Sequence, residues 1–325
     1  MKLGILGSGM IVHDLMKTIH KLNFEKIYIL GRETSKEKTE QLISENHLAG
    51  AFYDYDKMLA SDVDIIYVAL PNSLHYEFAK KALEHKKHVI LEKPAASNAR
   101  EMRELARLAV SQKRMLFEAM NIHYLPCYQA LKTDLEKLGE IKMVSFNYSQ
   151  YSSRYDAFKQ GIILPAFDPK KSGGALMDIN IYNVHAVVGL FGIPKNARYY
   201  ANIEKGIDTS GMMFYDYGTL KAVSIGAKDC KAPIISTIQG DQATIVIEKP
   251  VNQMTEYMIL YHDGREEFRQ FEQTEHRMYY EFSEFIRMIE DEDFENHKKM
   301  LDLSCEIADL ITRVRQEEGV VFHND

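Results

Sequence analysis

From residue 1 to about 119, short apolar runs alternate with stretches of helical periodicity, which predicts βα units around a parallel sheet. Strands are expected at 2–6, 26–30, near Phe52, and at 64–69, 88–91 and 115–117. Between them, Ile11, Val12, Leu15, Met16, Ile19 and Leu22 form one helical stripe, and Leu74, Phe78, Ala82 and Leu83 another. Asn98, with Glu101 three residues on, has the spacing of a capping box at a helix start.

Near residue 119 the rhythm changes. A helix at 127–138 precedes a β-like run at 141–151, and an apolar helical stretch covers 174–190. Strands follow at 212–217, 220–225, 234–238 and 244–247. Consecutive strands without helices between them predict a mostly antiparallel, open sheet. Two amphipathic helices close the chain, one on Met278, Phe282, Phe285 and Ile289, the other on Met300, Leu303, Ile307, Leu310 and Val314. The expected division is 1–119 and 120–325.

At 325 residues the chain suits two domains. A formal charge of −7 with dispersed Lys and Arg argues against a nucleic-acid partner. Cys127, Cys230 and Cys305 are odd in number and lack C-x-x-C spacing, so they read as packing residues in a reducing compartment. The opening apolar run is broken by His13-Asp14, and no run reaches the roughly 18 uncharged apolar residues of a membrane helix. A cytoplasmic protein without metal or membrane partner is expected.

Three segments carry the candidate chemistry of the first domain. Gly7-Ser8-Gly9 follows a strand and opens a helix, so Gly7 can make the tight turn and Gly9, with Met10 and Ile11, can receive a pyrophosphate at the helix N-terminus. Val12 replaces the third glycine of G-x-G-x-x-G, which predicts a slightly wider helix-to-strand separation. Leu70-Pro71-Asn72, with His75, follows the fourth strand. Glu92-Lys93-Pro94 closes the fifth, and a lysine at the carboxyl end of a buried strand lies where open α/β sheets do chemistry. In this order and spacing the segments resemble the glucose-fructose oxidoreductase, inositol dehydrogenase and rhizopine-catabolism (Gfo/Idh/MocA) family. The resemblance implies a Rossmann doubly wound domain, a second sheet domain and a nicotinamide cofactor, with Leu70, Pro71, Asn72, His75, Glu92 and Lys93 along it and a cis bond before Pro94. Gly31-Arg32-Glu33 ends the second strand. Arg32 favours the 2′-phosphate of NADP, while Glu33 can reach the ribose hydroxyl of NAD.

The remaining chemistry is expected in 171–183. Asp178 and Tyr182 are four apart and share one face of an α-helix. The string Gly173-Gly174-Ala175-Leu176-Met177-Asp178-Ile179-Asn180-Ile181-Tyr182 resembles the sugar and dihydrodiol dehydrogenase branch, departing at Asn180. That resemblance implies Tyr182 as the group exchanging the substrate hydroxyl proton. Lys93 would supply a cation that lowers the tyrosine pKa from about 10, and Asp178 would orient the substrate or tune Lys93. His185, seven after Asp178, is the second choice of base. Asn121 and His123 stand where the branch has tryptophan and arginine, and join Arg154 and Tyr155 of a 151–156 loop as candidate substrate contacts. The implied activity is a dehydrogenase for a secondary alcohol of a sugar, inositol or diol, working as a homodimer or homotetramer through the exposed sheet face. The alternatives are a non-catalytic NADP-binding regulator and an NAD-assisted glycosidase.

Overall fold

The structure, a computed structural model, describes residues Met1–Asp325. Its contacts divide the chain into two units, Met1–Ala119 with Met278–Cys305, and Met120–Arg277 with Glu306–Asp325. A continuous second domain over 120–325 is therefore corrected. The helix Arg277–Glu290 lays Phe282 edge-on against Tyr67 and stacks Phe285 on Phe117 at 4.5 Å between ring centroids. Its apolar stripe predicts burial in the sequence, but which sheet it covers depends on rings some two hundred residues earlier.

In the first unit, β1 (Lys2–Leu6), β2 (Lys26–Leu30), β3 (Gly50–Phe52), β4 (Ile65–Val68), β5 (His88–Glu92) and β6 (Leu116–Ala119) form a parallel sheet in the order 3-2-1-4-5-6. Every residue of β4 is buried, as a strand covered on both faces requires. The order reverses between β1 and β4, so the crevice at their carboxyl ends is the natural ligand position.

The second unit carries β7 (Ile141–Ser149), β8 (Asn196–Glu204), β9 (Ile207–Asp216), β10 (Lys221–Ala227), β11 (Ser236–Gly240), β12 (Ala243–Ile247), β13 (Glu256–Tyr261) and β14 (Glu266–Gln270). They pair in the order 14-13-12-11-7-10-9-8, antiparallel except for the parallel β7–β10 pair. One face buries Phe146, Tyr215, Ile238, Ile245 and Ile259, with the helix Ile181–Phe191 lying over β7 and β10. The other face exposes Met143, Tyr200, Met212, Phe214 and Phe268.

The expectation of no membrane-length apolar segment also needs correction. Pro169–Phe191 is long and apolar enough by length and composition, but 78% of its most apolar window is buried within the fold. It is a core element, interrupted by a glycine pair and a π turn.

Candidate active site

β1 delivers Gly7-Ser8-Gly9 to the crevice of the first unit. Gly7 has φ +114°, and a Cβ there would stand 2.3 Å from the Ala69 carbonyl oxygen, so only glycine fits. Around Gly9 a Cβ would meet nothing within 4 Å. That open space adjoins the start of the helix Met10–Met16, where no side chain caps the turn and no acidic residue occupies it. Exposed Ser8, Gly9 and Met10 and half-buried Ile11 therefore fit an anionic pyrophosphate. At the end of β2, Gly31 donates its N–H to the Phe52 carbonyl, and Arg32 and Glu33 are both exposed.

The 70–75 segment and the Lys93 turn are held together by one imidazole. His75 is fully buried, with Nδ1 2.9 Å from the Pro94 carbonyl oxygen and Nε2 2.8 Å from that of Leu70. Burial holds its pKa below the ordinary value, so the ring is neutral and donates from one nitrogen at a time. The Lys93–Pro94 peptide is cis. Just beyond it, Ala95 N–H donates to Glu118 Oε1 at 3.0 Å and Ser97 N–H to Glu101 Oε2 at 3.1 Å. Glu101 N–H in turn donates to Asn98 Oδ1 at 3.0 Å, which is the N-cap bond anticipated from the spacing. Glu92, expected among the cofactor contacts, points into the core and accepts the Tyr67 hydroxyl at 2.5 Å. Lys93 remains half-buried at the crevice side, beside half-buried Leu70 and Asn72 and exposed Pro71.

The second unit assembles its polar groups differently. Gly174 has φ +101°, and a Cβ on it would lie 2.0 Å from Asp208 Oδ1. A Cβ on Gly173 would lie 2.6 Å from the Pro165 carbonyl oxygen. The glycine pair thus lets the chain pass between β9 and the 165–167 turn. Asp208, fully buried on β9, accepts the Leu176 N–H at 2.7 Å and the Tyr199 hydroxyl at 2.8 Å. Burial pushes its pKa up to about 6 against those two donors.

Leu176–Asn180 is a π turn, and α-helix resumes over Ile181–Phe191. Asp178 lies in the π turn and Tyr182 just past it. A π turn inserts a residue relative to α geometry, so the seven-residue spacing no longer returns His185 to the face of Asp178. His185 is instead buried, with Nδ1 3.1 Å from Nε2 of His123. Burial, and after it the neighbouring His185, hold the His123 pKa well below its usual range, so His123 is uncharged. Asn121 is likewise buried and donates to the Asn252 carbonyl at 2.9 Å. Asn121, His123 and His185, expected among the substrate contacts, are all buried.

The expected 151–156 loop contains the start of the helix Ser153–Lys159, capped by Ser152. Tyr155 is half-buried. Its ring lies against Phe158 and Phe167, and its hydroxyl donates to Glu204 at 2.6 Å. Arg154 is exposed on the first turn. Tyr182 is 9% exposed, its ring 6.3 Å from that of Tyr148.

Two residues went unnoticed in the sequence. Asp208 sits in a strand like any other and left no signal. Lys228 follows the apolar strand β10 just as Lys93 follows β5, and that shared feature could have found it. Its ammonium pairs with Asp178 Oδ2 at 2.5 Å.

Comparison with known proteins gives the same picture. Residues 1–120 match the family model described as an oxidoreductase family with an NAD-binding Rossmann fold. Among curated relatives, the scyllo-inositol 2-dehydrogenase (NADP(+)) IolU of Bacillus subtilis (strain 168) is 34% identical over 100% of this chain and 99% of its own. The D-xylose 1-dehydrogenase (NADP(+)) 2 of Haloferax volcanii is 28% identical over 69% of this chain and 68% of its own. Among solved structures, KijD10, a 3-ketoreductase from Actinomadura kijaniata in complex with NADP, superposes with a TM-score of 0.78 at 18% identity, covering 99% of this chain and 98% of that one. At that identity the likeness concerns the fold.

Proposed function

The chain belongs to the Gfo/Idh/MocA oxidoreductase family, and from that premise we propose that it interconverts a secondary alcohol and its carbonyl on a sugar, inositol or diol, with NADP preferred over NAD. The full-length likeness to an NADP-dependent scyllo-inositol dehydrogenase carries this reading. Exposed Arg32 at the end of β2 supports the cofactor choice, since a guanidinium suits a 2′-phosphate.

When bound, the nicotinamide supplies the hydride donor or acceptor. The protein must manage the hydroxyl proton and the charge that develops on oxygen. Lys93, held by its braced turn, supplies positive charge beside that oxygen. The Tyr182 hydroxyl exchanges the proton. Asp178 accepts a hydrogen bond from a substrate hydroxyl and so fixes which carbon reacts. The protein works in the cytoplasm as a homodimer or homotetramer. Its contact surface is the outer sheet face, where Tyr200 and Phe214 rim a depression of about 480 Å³.

The test is nicotinamide absorbance with NADP or NAD against scyllo-inositol, other inositols, D-xylose and diols. Lys93→Ala and Tyr182→Phe are each expected to lower kcat by about 10²–10⁴-fold while NADP binding, followed by fluorescence, persists. The double variant should fall little below either single one, as groups acting in one step do. Wild-type turnover in both single variants would refute the assignment.

A further inference from the structure

A buried ammonium sits behind the carboxylate assigned to substrate orientation. Lys228 follows β10, and its backbone N–H donates to the Thr209 carbonyl of β9 at 2.9 Å, so two paired strands fix its origin. The side chain is 3% exposed, and its Nζ is closely surrounded. It meets Asp178 Oδ2 at 2.5 Å, donates to the Ala166 carbonyl at 3.1 Å, and lies 4.6 Å from the centre of the Phe167 ring. The Ala166 carbonyl also accepts the Gly174 N–H at 3.1 Å. One ammonium therefore ties the 165–167 turn, the glycine entry to the π turn and Asp178 into a single unit.

The asymmetry of the pair is informative. In a purely structural buried ion pair both partners leave water, because each needs the other to offset its desolvation. Here the lysine is 3% exposed while the Asp178 side chain is 38% exposed. The cation is committed to the interior, and the carboxylate it holds stays open to solvent on an irregular turn, a feature common at functional positions.

We propose that Lys228 is a positioning residue for the reaction, holding Asp178 ionised and in one rotamer so that it can accept a substrate hydroxyl. The inference rests on the proposed role of Asp178. Lysine is well suited to the task, since its three donors can serve a carboxylate, a carbonyl and an aromatic face together.

Four variants of the full chain test it, Lys228→Met, Lys228→Arg, Asp178→Asn and the double variant Lys228→Met with Asp178→Asn. The probes are NADP with scyllo-inositol and D-xylose. Lys228→Met should lower kcat/KM by about 10–100-fold with NADP affinity unchanged, and Lys228→Arg should recover most of the loss. In the Asp178→Asn background, Lys228→Met should cost nothing further. The double variant removes both charges, so it also keeps the comparison available if Lys228→Met alone folds poorly. An equal loss from Lys228→Met in both backgrounds would overturn the proposal, reducing Lys228 to a structural cation while leaving the role of Asp178 intact. Wild-type turnover by Asp178→Asn would overturn the parent role of Asp178, and this inference with it.

Discussion

The Lys93 turn and the Asp178 turn are each held by a buried group, but the first is held by its backbone and the second by its charge. Neutral His75 and the carboxylates of Glu118 and Glu101 bind main-chain atoms of Pro94, Ala95 and Ser97. At Asp178 the buried ammonium of Lys228 grips the carboxylate itself, and buried Asp208 holds the entry to the turn. A backbone clamp fixes where a side chain starts by holding main-chain atoms. A charge clamp couples the site to the protonation and pairing of groups deep in the core, so the second unit should be the more sensitive of the two to removal of one charge.

The largest effect is expected where that dependence on buried charge is most complete. Arg315 is fully buried, donates to both carboxylate oxygens of Asp325 at 2.7 and 2.8 Å, and lies 3.8 Å from the Phe322 ring centre. Asp325→Ala should cost about 3–5 kcal/mol in urea unfolding, the usual penalty for stranding a buried charge. A loss below about 1 kcal/mol would break the contrast between the units.

Asp208 gives the next test, through pH. Its folded pKa of about 6 lies above its ordinary value, so the penalty of the buried anion is fully present above pH 6. As pH falls from 6 towards 4, the folded protein takes up a proton that the unfolded chain does not, and stability rises. Wild type should therefore gain about 2 kcal/mol relative to Asp208→Asn between pH 7 and pH 4.5, measured by denaturant unfolding. A flat difference would mean that the Leu176 and Tyr199 donors fully offset the burial.

In the first unit the effects should be smaller and independent of charge. Gly7→Ala, which forces a Cβ against the Ala69 carbonyl at positive φ, should cost about 1–3 kcal/mol and weaken NADP binding. Gly9→Ala should fold like wild type, since its surroundings are open, and differ only in cofactor affinity. Asn98→Ala, removing the cap that joins the Lys93 turn to the following helix, should cost about 1 kcal/mol in thermal unfolding.

The parallel sheet could be read from the chain because each of its strands is a short apolar run, and β1 and β2 fall at the expected residues. The glycines, the Asn98 cap and the lysine at the end of β5 could be read for the same reason, since each obeys a local rule of backbone geometry. In the second unit only part was legible. The apolar stretch containing Asp178 and Tyr182 was visible, but the π turn within it was not, because the extra residue is accommodated by packing. Gly226 on β10 shows this, since a Cβ there would lie 2.4 Å from that of Asn180.

His185 illustrates the consequence. Its seven-residue spacing from Asp178 was correct for an ideal helix, and the inserted residue turned it towards His123. Half-buried Tyr155 makes partners that sequence spacing did not show, packing on Phe158 and Phe167 and donating to Glu204. By itself the sequence determined where strands and helices run, which turns require glycine and which side chains are chemically able to act, since these follow from neighbours along the chain. Only the tertiary structure decided that Lys228 meets Asp178, that Asp208 holds the π turn and that the two histidines bury each other. Those pairings join residues tens of positions apart, and burial and electrostatics act on distance in space.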